Sequence, residues 1–360
     1  MRRGHGKRQA RLLRLWQCLA LVLIVAALLL WLRFDDPARG APTQLVVEPR
    51  QGVAPLVHFI EEARGSLDGE IYLLTSPDLL RALESAPARG VRVRLLMEHY
   101  PFGGGKPSPE ETFTRLQRHG VEVRWAPRRF RFTHAKMLLR DRQLAWVGTM
   151  NWSAVAFTSN RGFALIDPDR AVLRQLSRVF DADWQDRPLD ARVSRLVLSP
   201  TNSRQQIAAL IRGARRSLDV YAEVLGDTST TNLLIDAVRR GVVVRVVWSG
   251  RGDAGDLPSG GVRLVICGQP YAHAKAIVAD QRTIYVGSVN FTASSFEQNR
   301  EVGLIVRNRT LAEGVERAFG DDFAAGVPVP SGRREGGTPQ DAHKGGYCWV
   351  QGRARTPSPL

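Results

Sequence analysis

The chain has 360 residues, of which 44% are hydrophobic, and a net charge of +16. This length and composition allow a buried core and about two domains, and they exclude a wholly disordered protein. Residues 1–34 carry seven bases and no acid, and residues 328–360 carry a net +3, which leaves +6 between them. The charge therefore indicates an anionic partner without requiring nucleic acid.

The N-terminal residues combine a basic segment with a long apolar run. The run within residues 15–33 is long enough for a membrane-spanning helix. Its basic flank predicts that residues 1–14 stay in the cytoplasm and that the rest of the chain lies outside it, bound to the cell membrane by a single pass. The small residues before Ala41 are similar to a signal-peptidase site, so a cleaved signal peptide and a secreted protein are the alternative.

Two copies of one pattern occupy most of the remaining chain. Short stretches recur at a spacing of 151 residues, which falls to 139 farther along. The first copy therefore contains about ten extra residues near 100–114 and two more in 128–132, and both insertions are candidate substrate-contacting loops. We expect the first repeat to span 44–190, the second repeat to span 195–327, and a disordered tail to occupy 328–360.

The predicted elements come in the same order in both copies. An apolar-periodic helix is followed by Val-rich strands that lead to a histidine. The clearest pairs are helices at 56–63 and 207–214 and strands at 91–97 and 242–248, 121–125 and 262–267, and 144–147 and 283–286. Strands that alternate with helices and have no polar face predict an α/β sandwich in each copy.

Six polar or glycine positions recur at one fixed spacing, which is that between the two histidines. They are His134, Lys136, Asp141, Gly148, Asn151 and Asn160, repeated as His273, Lys275, Asp280, Gly287, Asn290 and Asn299. At roughly 5% usage per residue type, a chance repeat of six positions is on the order of 10⁻⁸. Two histidines with fixed lysine and amide donors provide a nucleophile, an acid and donors for phosphate oxygens, as phosphoryl transfer needs.

The local pattern indicates how these residues are displayed. In a strand, His134 and Lys136 would project to one side, and the second copy would repeat this arrangement. Asp141 and Asp280 fall in predicted hairpin turns, where a structural role competes with a catalytic one. Three cysteines without a C-x-x-C pair or Cys/His cluster predict neither a zinc site nor a disulfide framework.

These motifs resemble the phospholipase D superfamily, whose mark is H-x-K-x4-D-x6-G-S-x-N in two copies. The resemblance covers residues of about 44–327 and implies two homologous α/β sandwich domains related by a pseudo-twofold axis. It implies that one histidine attacks phosphorus, that the other protonates the leaving alcohol, and that no metal or other cofactor takes part. It also implies donors that hold the phosphate oxygens: Lys136, Lys275, Asn151 and Asn290, supported by Thr149 and Ser288.

The chain departs from the family pattern at two positions. Thr149 stands where the family usually has Ser, which keeps the hydroxyl. In the family's Asn-x-Glu element, Glu301 is present but Gly162 lacks the carboxylate. The resemblance implies that Glu301 orients His134 from the opposite repeat and that His273 has no such partner. A repeat that has lost activity is the alternative interpretation.

A basic and aromatic cluster directly precedes His134. Arg128, Arg129 and Arg131 alternate with Phe130 and Phe132. The cations could bind a phosphate and headgroup or stack on bases. A solvated basic edge with two core phenylalanines is the alternative.

Together these features predict a membrane-anchored, metal-independent phosphodiesterase or phosphatidyltransferase of phospholipase D or cardiolipin synthase type. Its substrate would be an anionic or zwitterionic phospholipid, because a tethered domain meets bilayer lipid at high effective concentration. A nuclease of the same superfamily and a catalytically weakened lipid-binding protein are the alternatives. The sequence does not predict an oligomeric state.

Overall fold

The computed structural model describes residues 42–190 and 192–331. The predicted anchor or signal segment, the basic segment before it, and the predicted tail beyond residue 331 lie outside these ranges. None of the helices formed by the described residues has the length and hydropathy of a membrane span.

The described residues form sixteen β-strands. They are β1 (Gln44–Glu48), β2 (Ser66–Ile71), β3 (Arg92–Met97), β4 (Glu122–Trp125), β5 (Lys136–Arg140), β6 (Leu144–Gly148), β7 (Asn160–Asp167), β8 (Leu196–Ser199), β9 (Ser217–Leu225), β10 (Val243–Gly252), β11 (Arg263–Ile266), β12 (Tyr271–Ala272), β13 (Ala276–Ala279), β14 (Thr283–Gly287), β15 (Glu301–Arg307) and β16 (Val327–Pro328).

The same residues form nine α-helices and one short 3-10 helix, Pro87–Arg89. The α-helices are α1 (Ala54–Glu61), α2 (Pro77–Ser85), α3 (Pro109–Arg118), α4 (Ala154–Thr158), α5 (Arg170–Trp184), α6 (Ser203–Gly213), α7 (Thr228–Arg239), α8 (Ala293–Glu297) and α9 (Arg309–Ala325). The predicted mixed α/β fold is confirmed.

The two sheets have the same order of equivalent strands. The first sheet runs β1-β7-β6-β5-β2-β3-β4, and the second runs β8-β15-β14-β13-β9-β10-β11 with β16 added at its edge. In each sheet the last three equivalent strands are parallel, as in β2-β3-β4, and the others are antiparallel. The duplicated sequence thus produces a duplicated topology.

Helix starts are encoded locally. Ser108 and Glu111 form a capping box at α3, in which each side chain accepts a hydrogen bond from the backbone N–H of the other. The Asp169 side chain caps α5, and the Asn308 side chain caps α9. Such side chains satisfy N–H groups that lack a partner within the helix.

A shared hydrophobic core joins the two sheets. Met137 and Val147 from the first sheet belong to the same buried cluster as Val286 and Val302 from the second. Helices α5 and α9 contribute to this cluster, whereas the remaining long helices cover the outer faces of the sheets over two separate cores. The inner faces of the two sheets bury each other in this cluster. The candidate site lies where segments of both repeats meet beside it.

Candidate active site

Backbone pairing between the repeats positions both histidines. Thr133 forms a parallel bridge with Arg300 of the second repeat, and Ala272 in β12 pairs with Arg161 in β7 of the first. The His134 N–H donates to the carbonyl of Arg300 at 2.8 Å. Each histidine therefore lies beside the strand of the opposite repeat. The prediction that His-x-Lys forms part of a strand is wrong for both histidines and for Lys275, since β5 begins at Lys136 and β13 at Ala276.

A single cavity of about 420 Å³ contains both histidines in its wall. Four carboxamides of the repeated motif also line it, namely Asn151, Asn160, Asn290 and Asn299. The structure thus brings together both copies of the histidine and asparagine positions that recur in the sequence. Two histidines and four amides around one cavity can surround one phosphodiester group.

Glu301 fixes the orientation of His134. The imidazole Nδ1 lies 2.8 Å from Oε2 of Glu301, and the carboxylate also accepts hydrogen bonds from Ser295 Oγ and Asn299 Nδ2 at 2.5 and 3.0 Å. Glu301 is fully buried. Because Nδ1–H donates to the carboxylate, the lone pair of His134 is on Nε2, the nitrogen available to attack a substrate.

His273 also has a carboxylate neighbour, which corrects the prediction that it has none. Glu223 from β9 places Oε1 3.7 Å from Nε2 of His273 and forms an ion pair with Lys275. Arg251 donates to the same carboxylate at 3.2 Å. Sequence comparison of the two copies missed Glu223, because its equivalent at the spacing of 151 residues is Tyr72.

The two lysines lie beneath the histidines. Lys136 Nζ donates to the carbonyl of His134 at 2.6 Å, and Lys275 Nζ donates to the carbonyl of His273 at 2.7 Å. Both side chains are fully buried, and neither lysine belongs to the described residues that line the cavity. Their charges therefore act on the site from behind the imidazoles.

Burial and charge set the protonation of this group. Burial lowers the pKa of His134, and burial lowers the pKa of His273 to about 3 against the attraction of Glu223. Burial would raise the pKa of Glu301 and of Glu223, but the neighbouring cations and histidines hold both below the usual range. Without substrate, neutral imidazoles therefore lie beside ionised carboxylates at neutral pH.

Asp141 and Asp280 were predicted as either catalytic or structural, and their hydrogen bonds favour the structural role. Asp141 accepts hydrogen bonds from the backbone N–H groups of Arg64, Gly65 and Ser66. Asp280 does the same for residues 215–217. Both aspartates have positive φ and begin hairpin turns at the far ends of β5 and β13. They fix the helix-to-strand loops and are not among the described residues that line the cavity.

Thr149 and Ser288 do not contact the cavity either, which corrects their assignment to substrate binding. Both are fully buried. Thr149 Oγ1 accepts a hydrogen bond from the N–H of Phe163 at 3.0 Å, and Ser288 Oγ accepts one from Val302 N–H at 3.0 Å. These hydroxyls hold the turns that present Asn151 and Asn290.

The three arginines before His134 have different positions relative to the cavity. Among the described lining residues, only Arg131 comes from this cluster, together with Phe132. Arg129 forms ion pairs with Asp183 and Asp186. Arg128 is exposed. Arg128 and Arg129 therefore do not line the cavity among the described residues, and the ion pairs of Arg129 indicate a structural role for it.

Two buried ion pairs between the repeats were not predicted. Arg161 forms two hydrogen bonds with Asp322 at 2.6 and 2.9 Å, and Arg300 forms two with Asp183 at 2.6 and 3.1 Å. Each arginine directly follows a motif asparagine, so these pairs anchor the segments that line the cavity. The sequence contains a pattern that could have predicted these pairs, because both arginines and both aspartates recur at the same spacing as the two histidines.

The two sides of the cavity differ in chemistry. Repeat 1 contributes the aromatic side chains Tyr72, Phe102 and Phe132. Repeat 2 contributes one aromatic side chain, Tyr271, together with polar side chains that include Arg251 and Thr292. Phe102 lies in the longer insertion of repeat 1, and it is 79% exposed. Both insertions therefore supply residues to the cavity wall.

Comparison with known proteins identifies the same two segments. Residues 56–184 and 207–323 match the family described as cardiolipin synthase, PLD-like domain. A cardiolipin synthase of Listeria monocytogenes is 23% identical in an alignment 333 residues long that covers 78% of this chain and 68% of that protein.

Two solved structures share the fold. Polyphosphate kinase from Porphyromonas gingivalis aligns with a TM-score of 0.66 and 17% identity over 83% of this chain and 52% of its own. Phosphatidylserine synthase of Haemophilus influenzae aligns with a TM-score of 0.60 and 10% identity over 80% of this chain and 87% of its own. At these identities the likeness concerns the fold alone.

Proposed function

The chain belongs to the phospholipase D superfamily and is a phospholipase D-like phosphodiesterase or phosphatidyltransferase, and from this premise we propose that it acts on phospholipids through a phosphohistidine intermediate. The observation that carries this proposal is the single cavity with two histidines, of which His134 is oriented by Glu301. A catalytic site without metal ions is part of the proposal.

In the first step, Nε2 of His134 attacks phosphorus. A P–N bond forms, the P–O bond to the headgroup alcohol breaks, and His273, which is protonated to the imidazolium in the substrate complex, gives its proton to the departing oxygen. The ionised Glu301 stabilises the positive charge that His134 acquires. Asn151 and Asn290 offer amide donors to the non-bridging oxygens, which carry increased charge in the transition state.

In the second step, water or another alcohol attacks the phosphohistidine. His273 accepts the proton of the attacking hydroxyl, the P–N bond breaks, and His134 leaves as a neutral imidazole. Attack by water gives a phosphatidic acid, whereas attack by a lipid hydroxyl transfers the phosphatidyl group. Burial lowers the pKa of both Lys136 and Lys275, and the carboxylates of Glu301 and Glu223 oppose this by favouring the charged forms.

Phospholipid is favoured over nucleic acid by the aromatic side of the cavity. Tyr100 and Phe102 in the longer insertion are 67% and 79% exposed, and Phe102 reaches the cavity wall. Exposed aromatic side chains beside a site can enter the interfacial region of a bilayer. Similarity to a cardiolipin synthase supports the same choice.

The proposal is tested with the purified full-length protein on two substrates. Mixed vesicles of phosphatidylglycerol, phosphatidylethanolamine, phosphatidylcholine and cardiolipin are incubated with it, and products are identified by mass spectrometry. Single-stranded DNA is assayed in parallel. We expect lipid turnover that EDTA leaves unchanged. Turnover of DNA alone would instead establish a nuclease, and activity lost on chelation and restored by a divalent ion would refute the metal-free mechanism.

Substitutions test whether the two histidines share one reaction. His134→Ala and His273→Ala should each lower turnover at least about 10²-fold, because each removes a positioned proton-transfer or nucleophilic group. His58→Ala is the matched control, since the His58 side chain is 71% exposed on α1 and pairs only with Glu62 among its described neighbours. Substantial activity in either active-site variant would exclude the shared-site mechanism.

We further propose that residues 15–33 anchor the enzyme in the cell membrane with its catalytic domains outside the cytoplasm. The apolar run and its basic flank support this proposal. Reporter fusions after Leu360 should be active outside the cytoplasm, and the protein should stay in membranes after carbonate washing. Release of a soluble form that starts near Ala41 would establish a signal peptide instead.

A further inference from the structure

The position that supplies a carboxylate to His134 is closed in the other half of the site. Gly162 in β7 is equivalent to Glu301 in β15. A Cβ added to Gly162 would lie 3.2 Å from Cε of Met150 and 3.3 Å from Oγ1 of Thr149. Met150 is fully buried, so it fills the space that a glutamate at position 162 would need.

A different strand brings a carboxylate to His273. Glu223 in β9 is equivalent to Tyr72 in β2, whose ring packs edge-on against His134 at a centroid distance of 4.6 Å. One half of the site therefore combines Tyr72 with Glu301, and the other combines Glu223 with Gly162. Each histidine has one carboxylate, but the two come from non-equivalent strands.

We propose that Glu223 replaces the carboxylate missing at Gly162 and is the positioning residue that allows His273 to hold the proton it gives to the leaving alcohol. This inference rests on the proposed phosphohistidine mechanism. Glu223 acts through His273 and Lys275, because it lies 3.7 Å from the imidazole and forms an ion pair with the ammonium group.

The surroundings of His273 explain why it needs this carboxylate. His273 is buried, and Lys275, Lys136 and His134 all disfavour its cationic form. Arg251 and Tyr271 lie next to it, and Arg251 is itself bonded to Glu223. Glu223 is the one group among these described neighbours that favours an imidazolium. Glu223 raises the pKa of His273 against burial and these cations, so it favours protonation of His273 in the complex with an anionic substrate, and without Glu223 the imidazolium would be harder still to form.

The arrangement differs from that of Glu301 in a way that fits the two roles. Glu301 lies behind His134 and binds Nδ1, so Nε2 keeps a free lone pair. Lys275 Nζ lies 3.3 Å from Nδ1 of His273, and an ammonium group can only donate. In the substrate-free state the proton of the neutral His273 is therefore on Nε2, which lies 3.7 Å from Oε1 of Glu223. His134 presents a lone pair to the cavity, whereas His273 presents an N–H group.

The test compares leaving groups that do and do not need a proton. Full-length wild type, Glu223→Gln and Glu223→Asp are assayed with phospholipid and with bis(p-nitrophenyl) phosphate, whose phenolate departs unprotonated. Glu223→Gln should slow phospholipid turnover at least about tenfold, while the initial burst of p-nitrophenolate stays within about threefold of wild type. Glu223→Asp should restore part of the phospholipid rate. Glu297→Gln, which changes an exposed carboxylate on α8, is the matched control.

The pH profile gives a second readout that a merely structural role would not change. Because the acid must be protonated, phospholipid turnover is lost as pH rises through the pKa of His273 in the substrate complex. Removing Glu223 should move that loss at least about one pH unit lower. Unchanged turnover and profile in Glu223→Gln would overturn the inference, and so would an equal loss on both substrates without a shift. Absence of both phospholipid turnover and p-nitrophenolate release by wild type would overturn the proposed function itself, and this inference with it.

Discussion

Breaking the ion pair between Arg161 and Asp322 should destabilise the protein strongly. The Arg161→Met variant removes two hydrogen bonds to Asp322 and one to the carbonyl of Glu48. Asp322, whose side chain is 3% exposed, would keep only the Tyr221 hydroxyl at 2.7 Å. Breaking a buried pair by removing one partner costs about 3–5 kcal/mol, because the other charge is left buried and uncompensated.

The equivalent pair provides an internal comparison. Arg300→Met should cost less than Arg161→Met, because Asp183 would still be bound by Arg129. A loss of about 1.5–3 kcal/mol, typical of hydrogen bonds to a charged group, is expected there. The exposed pair of Arg309 and Glu313 on α9 is the control, and its removal should cost less than about 0.5 kcal/mol.

The assay is urea unfolding of each purified variant, followed by tryptophan fluorescence. Because the Arg161 pair joins the two repeats, its loss should also broaden the transition or divide it into two steps. Adding Asp322→Asn to Arg161→Met should recover part of the loss, since it removes the uncompensated charge. A cost for Arg161→Met no larger than that of the exposed control would refute the reasoning.

Three further predictions concern the site and its supports. Glu301→Gln should slow phospholipid turnover at least about 10²-fold. Rapid quenching of wild type should trap acid-labile phosphate on His134. Peptide mapping that found the label on His273 would reverse the two roles. Asp141→Ala and Asp280→Ala should each lower the unfolding free energy by about 1–3 kcal/mol through loss of backbone acceptors, with turnover by the folded fraction unchanged; loss of turnover without loss of stability would restore their catalytic assignment. The unfolding free energy should fall as pH drops from about 6.5 towards 3. The pKa of His273 is about 3 in the folded protein, so the unfolded chain binds an extra proton in this range. If His273→Ala leaves the dependence of unfolding free energy on pH unchanged, His273 is not its cause.

The spacing of repeated residues predicted the parts of the site that both copies share. A recurrence of His, Lys and Asn at one constant spacing predicts two equivalent half-sites, and the structure lines one cavity with His134 and His273. The same spacing does not separate chemistry from structure for Asp141, nor does the family resemblance for Thr149, whose counterpart is Ser288. Both recur because both repeats need the same loop anchor and the same strand connection, so recurrence alone does not separate chemistry from architecture.

Glu223 could not be found in the same way. Its equivalent in the first copy is Tyr72, so Glu223 is not among the residues that the two copies share. What places it is sheet register: β9 runs antiparallel beside β13 with Tyr221 opposite Ala276, and this pairing brings Glu223 next to the residues before β13. Register between strands that lie far apart in the sequence depends on the packing of the whole sheet, which a single sequence does not reveal.

The two exchanged positions are energetically coupled. With tyrosine at position 223 and glycine at 162, Lys275 would be fully buried beside a neutral imidazole with no paired carboxylate, and an uncompensated buried ammonium is costly. With glutamates at both positions, two carboxylates would compete for His273, and one would have to take up a proton. The half-site around His273 therefore tolerates one carboxylate, and β9 supplies it because Met150 fills the space beside Gly162. Glu301 from β15 lies next to Nδ1 of His134, whereas Glu223 from β9 lies nearest Nε2 of His273. The two duplicated histidines are therefore chemically unequal.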